Sequence, residues 1–144
     1  MWVPGGLAEV LNSTFDGNRA AEGGGIAAGF GGMVSVASSL FVHNTTTSSA
    51  SATLVNANPV ASNTSVVNHY NGFFGNTGTD YLSTYGDLDL LTSDPLIANS
   101  CCPAAGSPAI DAGIPDFLFD DPDGSRNDMG ACGGPALSTF GPMK

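Results

Sequence analysis

The stretch VLNSTFDGN at residues 10–18 decides how this chain is organised, because the chain repeats it. Residues 36–44, VASSLFVHN, carry Val, Ser, Phe and Asn at the same four positions 26 residues later. Residues 73–76, FFGN, repeat the last part of the stretch after a further 32 residues. Repeats of this length are typical of stacked units, each too short to bury its apolar face alone. The repeated pattern is Phe-x-x-Asn, carried by Phe15 and Asn18, Phe41 and Asn44, and Phe73 and Asn76.

Short apolar segments between glycine- and asparagine-rich corners predict strands. No window has apolar residues at helical spacing over three turns, and Gly23-Gly24-Gly25 cannot lie inside a helix. Val, Ile, Thr and Phe favour strands instead. The sequence therefore predicts an all-β chain wound into about four coils of a parallel β-helix, which stack at about 4.8 Å. We expect Val10, Val36 and the pair Phe15 and Phe41 to share one interior column, and the corner asparagines to bond into a ladder.

The composition changes after Tyr81, and this change predicts two regions. Residues 1–99 are predicted to form the coils, incomplete at the N-terminal end. Residues 100–144 are predicted to form an irregular closing segment that packs on the solenoid, because Gly and Pro persist there without a regular apolar pattern.

The charge of the chain excludes several classes of partner. The net charge is −10, and Arg19, Arg126 and Lys144 are the only basic residues. Nucleic-acid binding needs a basic surface that neutralises phosphates, and attraction to anionic membranes needs one as well. No apolar run approaches the roughly 18 residues that a membrane-spanning helix needs, so membrane insertion is not expected.

The three cysteines allow one disulfide within the chain. Cys101 and Cys102 are adjacent, and neighbouring residues seldom meet the geometry of a disulfide. One of the two is free to bond Cys132, which would fix the tail to the body. The alternative is three small buried thiols.

Several motifs resemble a known family. The Phe-x-x-Asn copies and Gly23-Gly24-Gly25-Ile26 resemble the repeats of polymorphic outer membrane proteins and related right-handed parallel β-helix proteins. The segments DPL at 94–96, GSPAIDAG at 106–113 and DGSRNDMGA at 123–131 resemble the closing segment of large secreted bacterial β-helix proteins. The resemblance implies a right-handed parallel β-helix at the cell surface or outside the cell. It does not imply one activity, because this fold carries enzymes, adhesins and passive stalks.

No catalytic set is evident in the sequence. Lyases of the resembling class use Arg or Lys as the base, and this chain has neither between Arg19 and Arg126. Asp87 and Asp89 lie on one face of a predicted strand, roughly 6.5–7 Å apart, near the separation of paired glycosidase acids. The alternative is the solvated side of an amphipathic strand. His43 and His69 are predicted to be exposed turn residues without further ligands nearby.

Calcium is the one cofactor that the sequence suggests. Asp121, Asp123, Gly124 and Asp128 resemble part of a calcium-binding loop, in which hard oxygens bind the ion and glycine permits the turn. The closing glutamate of the EF-hand type is missing. The alternative is a turn-rich loop held by Arg126.

The absence of a catalytic set favours a structural function. The leading hypothesis is a non-catalytic secreted or cell-surface module, acting as a stalk, adhesin or self-assembling subunit. Its partner would be the chain itself, joined edge to edge or head to tail, because an uncapped solenoid exposes strand edges. The alternative is a carbohydrate-active fragment that binds or cleaves glycans along the solenoid face.

Overall fold

The computed structural model describes residues 1–47, 52–56, 65–82, 85–88, 90–97 and 101–135. Within these residues the chain consists of short strands, with a single turn of 3-10 helix at Phe117–Phe119. The strands are β1 Trp2–Pro4, β2 Leu7–Leu11, β3 Thr14–Asp16, β4 Arg19–Ala20, β5 Ile26–Gly29, β6 Met33–Ala37, β7 Leu40–Val42, β8 Thr45–Thr46, β9 Ala52–Asn56, β10 Ser65–His69, β11 Gly72–Phe74, β12 Thr79–Leu82 and β13 Tyr85–Leu88. The prediction of an all-β chain is confirmed.

The strands pair in parallel with strands one repeat away in the sequence. Sheet A has the order β1-β5-β9-β12, and sheet B has the order β2-β6-β10-β13. Sheet C is β3-β7-β11, and sheet D is β4-β8. All the pairings between these strands are parallel. Strands β1 to β4 are therefore the first strand of their sheets, and together they form one layer at the N-terminal end.

The strand register reproduces the offsets of the sequence repeat. Val10 lies opposite Val36 in sheet B, and Phe15 lies opposite Phe41 in sheet C. Phe73 continues the same position on the far side of Phe41. Each repeat of the sequence thus supplies one strand to sheet B and one to sheet C, and successive repeats lie on top of one another.

Two apolar clusters hold the described residues together. In β7, Phe41 belongs to the inner cluster, whereas Leu40 and Val42 belong to a second cluster, as the alternation of side chains along a strand requires. Ala109 and Met129 of the tail complete this second cluster. The inner cluster consists of Val3, Ile26, Ala28, Val34, Val36, Phe41, Val66 and Phe73, with Ala8, Val10, Phe15 and Leu90 packed against it and partly buried.

The corner between sheets B and C repeats in three layers. Asn12, Ser38 and Tyr70 all adopt positive φ, at 43°, 49° and 51°. This conformation is unfavourable for residues with a Cβ atom, so neighbouring contacts must stabilise it. The Ser38 hydroxyl oxygen accepts hydrogen bonds from the Ile114 amide at 3.0 Å and the Asn127 side-chain amide at 3.1 Å. The tail thus docks on a corner whose backbone is unfavourable by itself.

One glycine of the Gly23-Gly24-Gly25 corner is required by packing. A Cβ atom on Gly25 would lie 2.6 Å from Cδ1 of the Phe41 ring. Contacts this short do not occur, so any larger residue would displace the central ring of the inner cluster.

Candidate functional site

The repeat asparagines form a hydrogen-bonded ladder along one corner. The Asn18 backbone amide donates to Oδ1 of Asn44 at 3.0 Å, and the Asn44 backbone amide donates to Oδ1 of Asn76 at 2.8 Å. The side-chain amides of Asn18 and Asn44 donate along the same column at 3.0 and 3.2 Å. Each asparagine beyond the first also returns a bond to the layer before, from Nδ2 to the carbonyl of Phe15 or Phe41. The ladder therefore has a direction, with Oδ1 of Asn44 and of Asn76 each accepting from the preceding layer.

A second ladder with the same direction begins at Ser13. The Ser13 amide donates to Oγ of Ser39 at 3.1 Å, and the Ser39 amide donates to Oδ1 of Asn71 at 2.8 Å. The Asn71 side-chain amide also donates to Oδ1 of Asn68, whose own Nδ2 is buried and has no hydrogen-bond partner among the described residues. The Leu91 amide donates to the Asn71 carbonyl, as the Leu40 amide donates to the Ser13 carbonyl. Leu90, the residue before Leu91, therefore occupies in the fourth layer the position that Ser13, Ser39 and Asn71 occupy in the first three. The side-chain ladder ends there, since leucine has no acceptor.

The first layer is open on its outer side. Oγ of Ser13 and Oδ1 of Asn18 accept no hydrogen bond from the described residues, although their equivalents in the next layer do. Phe15 is only partly buried, whereas Phe41 is fully buried between its neighbours. The first layer therefore exposes unpaired strand edge and the end of the inner apolar cluster.

The tail is attached to the open end of the stack through polar contacts. The Asn12 side-chain amide donates to Oδ1 of Asn127 at 2.6 Å and to the Asp128 carbonyl at 2.9 Å. Nε of Arg126 donates to the Gly113 carbonyl at 2.9 Å, and its guanidinium lies 5.7 Å from the centre of the Tyr70 ring. Arg126 thus holds two segments of the tail together beside the corner.

A disulfide joins Cys102 to Cys132, 30 residues apart, and Cys101 is a free, exposed thiol. Both bonded cysteines belong to the tail, so the disulfide closes a loop within it. The expected bond between Cys132 and one of the two adjacent cysteines is thus present, at Cys102, but it joins two parts of the tail rather than the tail and the body. Hydrogen bonds and apolar contacts fix the tail to the body instead.

The aspartates of the predicted calcium loop bond to the protein itself. The two carboxylate oxygens of Asp121 accept from the Gly134 and Asp128 amides. Oδ1 of Asp128 accepts from the Asp111 amide at 2.7 Å. Among the described residues, no group of three or more His, Cys, Asp or Glu is arranged to hold a metal ion. Calcium stays a prediction, which thermal melting across millimolar calcium tests.

The carboxyl groups of Asp121 and Asp123 differ in acidity. Burial raises the pKa of Asp121 above its usual 3.8, and the nearby charges of Asp128 and Asp123 act in the same direction. Hydrogen bonds from the Ser125 hydroxyl and amide lower the pKa of Asp123, at 2.6 and 3.0 Å. Arg126 bonds the carbonyls of Ala112 and Gly113, so both Arg126 and the aspartates hold the loop.

A lateral cleft of about 670 Å³ lies between sheet C and the tail. Nδ1 of His43 lies 3.2 Å from Oδ1 of Asp16 on one wall, and Asp94, Leu96 and Cys101 line the other. His43 is exposed, as predicted, but its contact with Asp16 was not predicted. The repeat offset contains the signal, since Asp16 lies opposite Val42, one residue before His43.

A second groove of about 390 Å³ follows the outer face of sheet B. Glu9, His69 and Tyr70 supply polar groups, whereas Ile114 and Phe119 of the tail supply an apolar wall. Carboxylate, imidazole and phenol groups beside an aromatic ring can bind hydroxylated ligands. This groove is a further place where a small ligand would fit.

The predicted carboxylate pair is only partly described. Asp87 lies on β13, but its side chain and the whole of Asp89 lie outside the described residues. In the described part of the chain, no helix has the length and apolar character needed to cross a bilayer.

Comparison with known proteins gives no relative. No family model, no curated protein and no solved structure matches the chain.

Proposed function

We propose that the chain is a segment of a right-handed parallel β-helix of about four coils, with sheets A to D as its faces. Paired strands are offset by the same number of residues as the copies of the sequence repeat, and this agreement supports the arrangement. The ring centroids of Phe15, Phe41 and Phe73 are 4.9 and 5.0 Å apart, close to the spacing of stacked strands. Tail residues 100–144 then act as a closing segment packed beside the coils.

The proposed function is that of a non-catalytic structural module at the cell surface or outside the cell, serving as stalk, adhesin or self-assembling subunit. The observation that carries it is the ladder of Asn18, Asn44 and Asn76, which joins successive layers of parallel strands into one stack. The export itself is supported by the resemblance of the repeats and tail to secreted β-helix proteins.

A binding and activity screen tests this function. The intact chain is applied to a glycan array and incubated with neutral and acidic polysaccharides, and released reducing ends are measured. We expect a β-rich circular dichroism spectrum and no release of reducing ends. Release that exceeds a heat-denatured control would contradict the non-catalytic function.

The second candidate is a carbohydrate-active module, and the two lateral clefts favour it. The larger cleft brings Asp16, His43 and Asp94 to one space, where carboxylates and imidazole could bind sugar hydroxyls or act as acid and base. Substitution Asp94→Asn removes one carboxylate from this cleft, and Glu22→Gln, at an exposed position away from it, is the matched control. If glycan binding or hydrolysis exists, Asp94→Asn should reduce it at least tenfold and Glu22→Gln should not.

A further inference from the structure

The groove of about 390 Å³ on the outer face of sheet B forms where the middle strand carries small side chains. Val36 of β6 is fully buried in the inner cluster, so its neighbours Ser35 and Ala37 point to the opposite, outer face. The strands on either side carry larger residues at the matching position, because Leu11 and His69 both lie opposite Ala37. The small pair therefore leaves a depression between two rows of larger side chains.

The floor of this groove is a lateral face of the stack and not one of its ends. Side chains of a strand stand roughly perpendicular to the sheet, whereas neighbouring strands pair within its plane. A strand added at either edge of sheet B would therefore lengthen the floor without covering it. The tail supplies the wall of the groove through Ile114 and Phe119.

Three polar side chains reach the groove from different layers. Glu9 belongs to the first layer, and His69 and Tyr70 belong to the third. Among the described residues, the only ion pair is that of His43 with Asp16, so the Glu9 carboxylate has no cationic partner there. A carboxylate accepts hydrogen bonds, and imidazole and phenol groups both donate and accept them. Hydrogen-bonding groups therefore lie on opposite sides of the apolar floor.

The tail holds the Tyr70 ring in place. The guanidinium of Arg126 lies 5.7 Å from the centre of this ring, and Nε of Arg126 donates to the Gly113 carbonyl at 2.9 Å. Arg126 itself lines a different cavity, beside Leu91 and Met129. The groove thus has a fixed aromatic side without a cation among its described lining residues, and a preformed wall lowers the entropic cost of binding.

A neutral sugar ring matches this combination of groups. Its hydroxyls donate and accept hydrogen bonds around the edge of the ring, and its C–H faces pack on aromatic and apolar side chains. The volume of about 390 Å³ lies within the range of small-ligand sites, about 300–1,000 Å³. An acidic sugar matches less well, because its carboxylate would lie near Glu9 in a chain of net charge −10.

We propose that the groove on sheet B binds a neutral sugar residue of a glycan. The ring packs against Phe119, and its hydroxyls bond the Glu9 carboxylate and the His69 imidazole. The proposal rests on the proposed function, since an adhesin and a carbohydrate-active module both need such a site, and it names their ligand class. Selection against acidic sugars follows from the charge of Glu9.

Nuclear magnetic resonance titration of the intact, ¹⁵N-labelled chain tests the proposal. The probes are the methyl glycosides of glucose, galactose, mannose and N-acetylglucosamine, together with the uronic acid counterparts of the first two. At least one neutral glycoside should shift the amide signals of Ser35, His69 and Phe119, with a dissociation constant of about 1–10 mM. A uronic acid should bind at least about tenfold more weakly than the neutral sugar of the same ring.

A matched pair of variants tests the aromatic wall. Phe119→Ala removes the ring that lines the groove, and we expect roughly five- to tenfold weaker binding of the neutral glycoside. Phe117→Ala makes the same change in the same turn of 3-10 helix, at a residue that is 79% exposed. It should leave the dissociation constant unchanged.

A second pair tests the charge and keeps the proposal falsifiable if Phe119→Ala does not fold. Glu9→Gln, at an exposed position, keeps a hydrogen-bonding carbonyl and removes the charge. It should narrow the difference in affinity between the neutral and the acidic sugar at least roughly threefold. Glu22→Gln changes the net charge equally at an exposed position outside the groove, and should leave this difference unchanged.

Four results overturn the inference. They are no shift with any of the glycosides up to about 50 mM, shifts confined to Asp16, His43 and Leu96 of the larger cleft, equal losses from Phe119→Ala and Phe117→Ala, and equal effects of Glu9→Gln and Glu22→Gln. Each of them leaves the proposed structural role in place, because a β-rich spectrum and the absence of released reducing ends test that role separately.

Discussion

The ring of Phe41 lies flat against the ring of Phe15, with centroids 4.9 Å apart and planes inclined by 4°. Phe73 lies on its other face at 5.0 Å and 7°. Phe41 is fully buried, whereas Phe15 is partly buried at the open end. The three rings therefore do not contribute equally, although the sequence repeat makes them equivalent.

Replacement of Phe41 should cost far more stability than replacement of Phe15. Phe41→Ala removes a buried ring and leaves a cavity between two others, which costs about 3–5 kcal/mol. Phe15→Ala should cost roughly half as much, because water already reaches its outer face. Urea unfolding of both variants measures the difference, with Phe117→Ala at a 79% exposed position as control. Equal costs for Phe15 and Phe41 would show that they do not belong to one column.

The sequence predicts the stacking because a repeat in sequence must become a repeat in space when strands pair in parallel. Val10 and Val36, like Phe15 and Phe41, occur at one offset and occupy one register. The ladder of Asn18, Asn44 and Asn76 follows from the same offset. Pattern alone is sufficient here, since a residue and its copy occupy the same position in successive strands.

The tail has no repeat, and its contacts could not be predicted in the same way. The choice of Cys102 over Cys101 depends on which side chain points toward Cys132, and composition carries no information on that. The pair of Asp16 and His43 was missed for another reason. The two residues are 27 apart, one more than the repeat offset. Their contact follows only once Asp16 is known to lie opposite Val42, the residue before His43.

Asn44 should be the most sensitive asparagine of the ladder. Its Oδ1 accepts two bonds from Asn18, and its Nδ2 donates to the carbonyl of Phe15 and to Asn76, all at a fully buried position. Asn44→Ala leaves two partly buried backbone groups unpaired, the Asn18 amide and the Phe15 carbonyl, at a cost of about 1–3 kcal/mol each. We expect a fall in melting temperature of at least roughly 6 °C, given about 2–4 °C per kcal/mol at this size.

Asn18→Ala is the matched control for Asn44→Ala. Asn18 is exposed, and its Oδ1 accepts nothing from the described residues. Its replacement should lower the melting temperature by less than half as much. If scanning calorimetry finds similar losses for the two variants, the ladder does not contribute to stability in the direction described.

Removal of the disulfide should loosen the tail without unfolding the stack of strands. In the loop-closure treatment, a bond that closes a loop of about 30 residues contributes roughly 3–4 kcal/mol. Cys102→Ala with Cys132→Ala should therefore expose residues 101–135 to proteolysis. The strands β5, β6 and β7 should keep their slow amide exchange. Limited proteolysis and hydrogen exchange measure the two regions separately.

Cys101→Ser is the control for the disulfide variants. Its thiol is free and exposed, so the replacement should change neither proteolysis nor exchange. Slow exchange lost from β6 and β7 in the disulfide variant would instead show that the stack depends on the tail for its stability.

The acidities of Asp121 and Asp123 should give stability two opposite dependences on pH. Burial raises the pKa of Asp121 above 3.8, so the folded chain holds this proton more strongly than the unfolded chain does. Its contribution is fully present below the unfolded pKa and is lost as the pH rises through the folded one. Bonds from Ser125 lower the pKa of Asp123 below 3.8. Its contribution is present above the unfolded pKa and is lost as the pH falls through the folded one.

Urea midpoints of the parent and two variants, measured from pH 2 to about pH 7, separate these dependences. In the parent, Asp123 should cause a loss of stability as the pH falls below 3.8, and Asp123→Asn should abolish this loss. Asp121 should cause a loss of stability as the pH rises above 3.8, and Asp121→Asn should abolish that one. Asp121→Asn also weakens the bonds from Gly134 and Asp128, so the slope with pH is the diagnostic quantity rather than absolute stability. Carboxyl carbon NMR assigns the titrations directly, and Glu22→Gln controls for net charge. A lower pKa for Asp121 than for Asp123 would overturn the assignment of burial as the dominant cause.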